Sequence, residues 1–204
     1  MMESGERFNR RSIRLKGYDY TRDGAYFVTI CTHGRERAFG AVINGEMRLN
    51  ERGREVARCW AWLEEQYPYV CLDEWIVMPD HTHAIIMITD AHDATPPNAA
   101  DPNATNSSET CRGGSRTAQI RTASTTGPVD QTTNGLHAVP TQRKPLGRLI
   151  GAFKTVSTKR VNNIRSTPGA PLWQRNYHER VIRNSLSLDA LRHYVANNPV
   201  LWQP

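Results

Sequence analysis

The chain has 204 residues and a formal net charge of +6, which leaves one or two domains open and favours an anionic partner such as nucleic acid. Its four cysteines, Cys31, Cys59, Cys71 and Cys111, show no CxxC spacing, which argues against a zinc ribbon and gives no disulfide framework. No apolar run reaches the ~18 residues of a membrane span and no apolar signal core stands at the N-terminus, so a cytoplasmic protein is the expectation.

The chain opens on a basic arm, "RFNRRSIRLKGYDY", with Arg7, Arg10, Arg11, Arg14 and Lys16 among Phe8, Tyr18 and Tyr20. Arginines can hold phosphates while bases stack on aromatics, although a solvated terminus would look the same. "AYFVTICT" (25–32) is rich in β-formers and predicts a buried strand. "GAVINGEMRLN" places Asn-Gly between two short apolar runs, a hairpin signal. Asn50 can cap a helix over 51–66, whose buried face is Val56, Cys59, Trp60 and Leu63 at i, i+3, i+4 and i+7. "YVCLDEWIVM" predicts a strand, Pro79-Asp80 turns the chain, and "HTHAIIMI" returns as its hairpin partner.

At Asp90 the character changes. From Asp90 to Arg143 the only large aliphatic residues are Ile120, Val129, Leu136 and Val139, with no aromatic. Such a segment cannot bury enough apolar surface to offset its ordering entropy, and it reads as a disordered insertion. Ordered patterning resumes with a helix over about 145–164, on Leu146, Leu149, Ile150 and Phe153, carrying Arg148, Lys154, Lys159 and Arg160. "LWQRNYHERVI" predicts a bent strand. Ser187 or Asn184 caps a last helix reaching "YVANN", which Pro199 ends. One domain therefore runs over 1–89 and 144–204, interrupted by 90–143. The interleaving of strands and helices around a central hairpin predicts an α+β, ferredoxin-like antiparallel sheet covered by helices.

Two places carry chemistry. His81 and His83 stand at i and i+2 of a strand, so they share a face and can share a cation, with Thr82 turned away. Two surface or hydrogen-bonded histidines at a strand end are the plain alternative. On the last helix, Tyr194 and Asn198 are four apart and flank the stripe of Leu188, Leu191 and Val195. A phenol there can be a nucleophile and an amide oxygen a hard ligand. An amphipathic surface tyrosine and a helix-closing asparagine are again the alternative.

Taken together, "RRSIRLKGYDYTRDGAYFVTICTHGRERAFG", "WIVMPDHTHAIIMI", "LGRLIGAFKTVSTKRVN", "LWQRNYHERVIRN" and "LRHYVANNP" resemble the single-tyrosine HUH transposases, and more narrowly the REP-associated tyrosine transposases. The resemblance spans nearly all of the chain outside the insertion. It implies a ferredoxin-like nuclease domain and a divalent metal, Mg2+ or Mn2+. It also implies a tyrosine that cuts single-stranded, hairpin-containing DNA through a 5′-phosphotyrosine intermediate. By this resemblance His81 and His83 are metal ligands, Asn198 is a third, and Tyr194 is the nucleophile. DNA contacts are expected from Arg10, Arg11, Arg14 and Lys16 of the arm and from Lys154, Lys159 and Arg160 of the basic helix. The family includes monomers and homodimers that exchange the tyrosine helix. Thr82 departs from the bulky hydrophobic residue usual at the centre of the motif, and the insertion is longer than the usual connection. Since the chain given ends at Pro204, no C-terminal DNA-binding tail is expected. The competing functional class is a domesticated, non-catalytic nucleic-acid-binding protein on the same fold. A small-molecule metal hydrolase is disfavoured by the basic arm and by the few carboxylates near the histidines.

Overall fold

The computed structural model describes residue 15, residues 17–89 and residues 143–203. Arg10, Arg11, Arg14, Lys16 and the segment 90–142 lie outside the described residues. Among the described residues, six strands and four α-helices follow in chain order. They are β1 (Gly24–Cys31), β2 (Gly40–Ile43), β3 (Glu46–Leu49), α1 (Glu51–Gln66), β4 (Val70–Val77) and β5 (His81–Ile88), then α2 (Leu146–Ile164), β6 (His178–Ile182), α3 (Ser185–Ala196) and α4 (Asn198–Leu201).

Four strands form one sheet in the order β4-β5-β1-β6, every neighbour antiparallel. With β2 and β3 set aside, the order strand–helix–strand–strand–helix–strand is the ferredoxin-like arrangement expected, in an α+β fold. The two flanking strands β2 and β3 pair through Asn44 and Gly45, both at positive φ (53° and 75°), the backbone that a two-residue Asn-Gly turn requires.

Helix α1 begins where Asn50 predicts. The Asn50 side chain accepts the backbone N–H of Gly53 at 2.9 Å. Val56, Cys59, Trp60 and Leu63 are all buried against one sheet face. Helix α2 lies beside α1, with the Trp60 and Phe153 rings stacked at 3.8 Å between them. This face holds the larger core, including Tyr26, Val28 and Ile30 of β1 and Ala84, Ile86 and Ile88 of β5. The opposite face carries a smaller cluster, Phe27, Ile76, Met78, Ile85 and Ile182, covered by Val195 of α3 with Leu188 and Leu191 at its margin.

Two elements differ from expectation. The strand predicted over 172–182 is confined to His178–Ile182. Leu172 and Trp173 are instead buried, with Trp173 making an isolated bridge to Thr32 and its Nε1–H donating to Ser157 Oγ at 2.9 Å. A buried indole satisfied by a helix hydroxyl holds that stretch off the sheet. The last helix was expected to reach Asn198 and stop at Pro199. It ends at Ala196, and Asn198 opens α4, with Pro199 in its first turn. Proline is tolerated at that position because its missing N–H needs no partner there.

Thr82, the departure at the motif's centre, has a structural reason. It is fully buried on the α1 face, where its hydroxyl accepts Trp60 Nε1–H at 3.0 Å and donates to the Ile76 carbonyl at 2.8 Å. Thr82→Val, a near-isosteric change, would strand the indole N–H in the core. We expect a loss of about 1–3 kcal/mol in urea unfolding, with unchanged far-UV circular dichroism.

Candidate active site

Strand alternation sorts β5 into two faces. Thr82, Ala84 and Ile86 face α1 and α2, while His81, His83 and Ile85 face α3. Both imidazoles are buried, His83 at 4% exposure and His81 at 7%. Their Nε2 atoms are 3.1 Å apart. Each ring is fixed from behind by its other nitrogen. His81 Nδ1 lies 2.6 Å from Asp80 Oδ1, and His83 Nδ1 lies 2.9 Å from Thr29 Oγ1 of β1. Arg35 lies 3.5 Å from the second oxygen of Asp80.

The charges assign the protons. The Asp80 carboxylate can only accept, so His81 donates Nδ1–H and turns the Nε2 lone pair toward His83. His83 is held neutral, its pKa pushed down to about 3 by burial first and then by the neighbouring His81, His178 and Arg35. It has two tautomers available. In one it donates Nε2–H to His81 and accepts from Thr29. In the other it donates Nδ1–H to Thr29, and two lone pairs then meet at 3.1 Å. The second tautomer is unfavourable in an empty site and suited to a cation between the rings. Two nitrogens at ~2.0–2.2 Å from one ion, at near-right angles, stand about 3 Å apart. The donor chemistry thus fits a divalent ion with imidazole ligands. Among the described residues no group of three or more His, Cys, Asp or Glu side chains is placed to hold a metal. A third ligand drawn from the described residues would therefore be an amide, a hydroxyl or a backbone carbonyl.

Helix α3 brings Tyr194 to this pair within one chain. The Tyr194 ring packs edge-on to His83, centroids 5.2 Å apart, and edge-on to Phe27 at 6.1 Å, while Phe27 stacks on His83 at 5.3 Å. Tyr194 nonetheless remains 43% exposed, so one side touches the site and the other meets solvent. Beyond α4, Trp202 packs on His81 at 5.6 Å between ring centroids. Asn198, four residues from each of those aromatic residues, is 7% exposed. Its amide makes no hydrogen bond to another described residue. Helix α3 is held by more than apolar contact. Arg192 Nε donates to Asp73 of β4 at 2.7 Å, and its Nη1 donates to Asp189 at 3.0 Å.

The other expected contacts lie elsewhere. Lys154, Lys159 and Arg160 sit on α2, across the sheet from the histidines. Lys154 is half-buried and donates to the carbonyls of Gln174 and Arg175, and Arg160 pairs with Glu55 at 3.2 Å. Lys159 is exposed. Asp80 and Thr29, which orient the rings, were not read from the sequence. Adjacency to His81 could have flagged Asp80, but Thr29 emerges only from the register Thr29↔His83. The same register row ends on His178, exposed on β6 opposite Thr29.

The fold and this face define an α+β protein with a histidine pair and a tyrosine gathered on one side of a ferredoxin-like sheet. No family model matches the chain. A protein of Haemophilus influenzae (strain ATCC 51907 / DSM 11121 / KW20 / Rd), described as an uncharacterized protein, is 31% identical over 195 residues, covering 96% of this chain and 91% of that one. The chain belongs to the same family as that protein. Among solved structures, it is similar to a REP-associated tyrosine transposase bound to a REP hairpin, with 14% identity, a TM-score of 0.49 and coverage of 92% of this chain and 73% of that one. A protein of Deinococcus radiodurans named as a candidate transposase gives 14% identity, a TM-score of 0.40 and coverage of 90% and 95%. No helix among the described residues is long and apolar enough to cross a membrane.

Proposed function

We propose that the protein is a transposase that cuts and rejoins single-stranded, hairpin-containing DNA, with Tyr194 as nucleophile. The observation that carries this reading is the packing of the Tyr194 ring on one of two imidazoles whose Nε2 atoms face each other at 3.1 Å.

Tyr194 Oη attacks a backbone phosphorus and forms the O–P bond. The bond to the 3′ oxygen breaks, that oxygen leaves with the electron pair and takes up a proton, and the phenolic proton passes to solvent. The products are a 5′-phosphotyrosine and a free 3′-hydroxyl. The linkage keeps the phosphodiester's free energy, so a 3′-hydroxyl can reverse the step without a nucleotide cofactor. A divalent ion held by His81, His83 and the Asn198 amide would withdraw charge from the phosphate oxygens. Either Mg2+ or Mn2+ would supply that charge. Asp80 and Thr29 keep both lone pairs aimed outward, and Phe27 and Trp202 keep the rings from turning.

Incubation with hairpin-containing single strands and manganese, followed by a search for a phosphotyrosine adduct, tests the reading directly. Absence of an adduct on every strand tried, alongside binding that ignores chelator, would favour the non-catalytic alternative. The orienting carboxylate gives a separate check. Asp80→Asn removes the charge that fixes the His81 tautomer. Manganese affinity, read from free-ion electron paramagnetic resonance, should fall about 10–100-fold, and Thr29→Val should weaken it in the same direction.

A further inference from the structure

Cleavage at phosphorus has two sides. The attacking and leaving oxygens stand in line across the phosphorus, and the 3′ oxygen leaves as a costly alkoxide unless a proton reaches it. The sheet order separates these sides. Helix α3, which carries Tyr194, packs over β4 and β5 and is tied to Asp73 of β4. In the order β4-β5-β1-β6, the far side of His83 is that of β1 and β6. One row of side chains crosses there: His83 pairs with Thr29, and Thr29 with His178. Directly paired residues project from the same face. Thr29 Oγ1, 2.9 Å from His83 Nδ1, fixes that face as the one that carries the histidines. His178 therefore stands on the active face, two strand spacings of ~4.8 Å beyond His83 and out of contact with it. A charge on His178 still disfavours one on His83, so the two rings lie within electrostatic reach.

His178 is exposed, and its ring makes no hydrogen bond, ion pair or ring contact with another described residue. Nothing in its surroundings gives it a structural task. The other charged or titratable groups near this face are otherwise placed. Asp80 is bound to His81, and His193 sits on α3 with the nucleophile. Arg180, exposed two residues along β6 on the same face, keeps its proton at any working pH. Imidazole is the side chain that exists in both protonation states near neutral pH. We propose that His178 is the general acid that protonates the 3′ oxygen as its bond to phosphorus breaks. The bond from Tyr194 Oη to phosphorus forms, the bond to the 3′ oxygen breaks, and its electron pair takes the proton of the imidazolium. His178 is left neutral and regains a proton from water. On rejoining, the neutral ring takes the proton of the attacking 3′-hydroxyl. The inference rests on the reading of Tyr194 as nucleophile.

The test compares two hairpin-containing strands, one ordinary and one with sulfur in place of the 3′ bridging oxygen at the bond that is cut. A thiolate leaves without a proton, so an acid is idle on the sulfur strand. His178→Ala should slow single-turnover adduct formation by at least about 10²-fold on the ordinary strand and by less than about threefold on the sulfur strand. Added imidazole should restore part of the rate on the ordinary strand. Strand affinity in chelator and melting temperature should match wild type, because the ring is exposed and unpartnered among the described residues. His178→Gln, which keeps a polar side chain, takes the place of the alanine variant should that one fail to fold. Equal slowing on the two strands overturns the acid, as does an unchanged rate on the ordinary one. A wild type that forms no adduct on either strand overturns the functional reading itself, and His178 with it.

Discussion

Tyr194→Phe is expected to abolish the covalent protein–DNA adduct, lowering strand cleavage by about 10⁴-fold or more while leaving the fold untouched. The substitution removes one oxygen. The ring keeps its edge-on contacts with His83 and Phe27, and the phenol makes no hydrogen bond to another described residue whose loss would cost stability. Unfolding free energy should stay within about 0.5 kcal/mol of wild type, as for a surface change. Hairpin binding should persist, because the arginines and lysines are intact. The measurement is a denaturing gel of labelled strand after incubation with manganese. An adduct of undiminished yield in the variant would move the nucleophile to another side chain. Because the ring packs on a histidine of its own chain, mixing Tyr194→Phe with a histidine variant should not restore cleavage. Restoration would mean that two copies exchange α3.

His83→Ala is expected to have the second largest effect, with cleavage down at least about 10³-fold at limiting manganese. One ligand of the proposed pair disappears, a greater loss than the about 10–100-fold cost of removing an orienting partner. Stability should also fall, by about 1–3 kcal/mol, because the Thr29 hydroxyl loses its buried partner and Phe27 its stacking neighbour. The two losses separate experimentally. Raising manganese should recover part of the cleavage but none of the stability measured in chelator. A non-catalytic DNA-binding protein would show the stability loss with DNA affinity unchanged by metal.

Much of the fold was legible because local rules and packing agree. Helix α1 has a capping asparagine, a helical stripe and a polar outer face, and its bounds are those the pattern gives. The hairpin of β4 and β5 follows from two β-rich runs around Pro79-Asp80, and it puts His81 and His83 on one face whatever covers them. What stayed hidden depends on contacts distant in sequence. Trp173 leaves the expected strand because Ser157, sixteen residues earlier, satisfies its indole. Thr29 becomes a partner of His83 across fifty-four residues through sheet register alone. The break at Asn197 was masked by the continuous helical spacing of Tyr194 and Asn198. Pro199 marked the place but can end one helix or open the next. The basic residues of α2 were read by charge, and charge does not say which face of a sheet a helix will cover.

The unequal covering of the two sheet faces has a mechanical consequence. Helices α1 and α2 are welded to the sheet by the large core, whereas α3 rests on a few apolar side chains and the Arg192–Asp73 pair. Detaching α3 exposes less apolar surface than detaching α1 and α2 would, so it should open more readily than they do. The tyrosine therefore rides on the more lightly held layer, over a plate that carries the histidines. Salt that screens the Arg192–Asp73 pair should loosen that layer and leave the plate as it was.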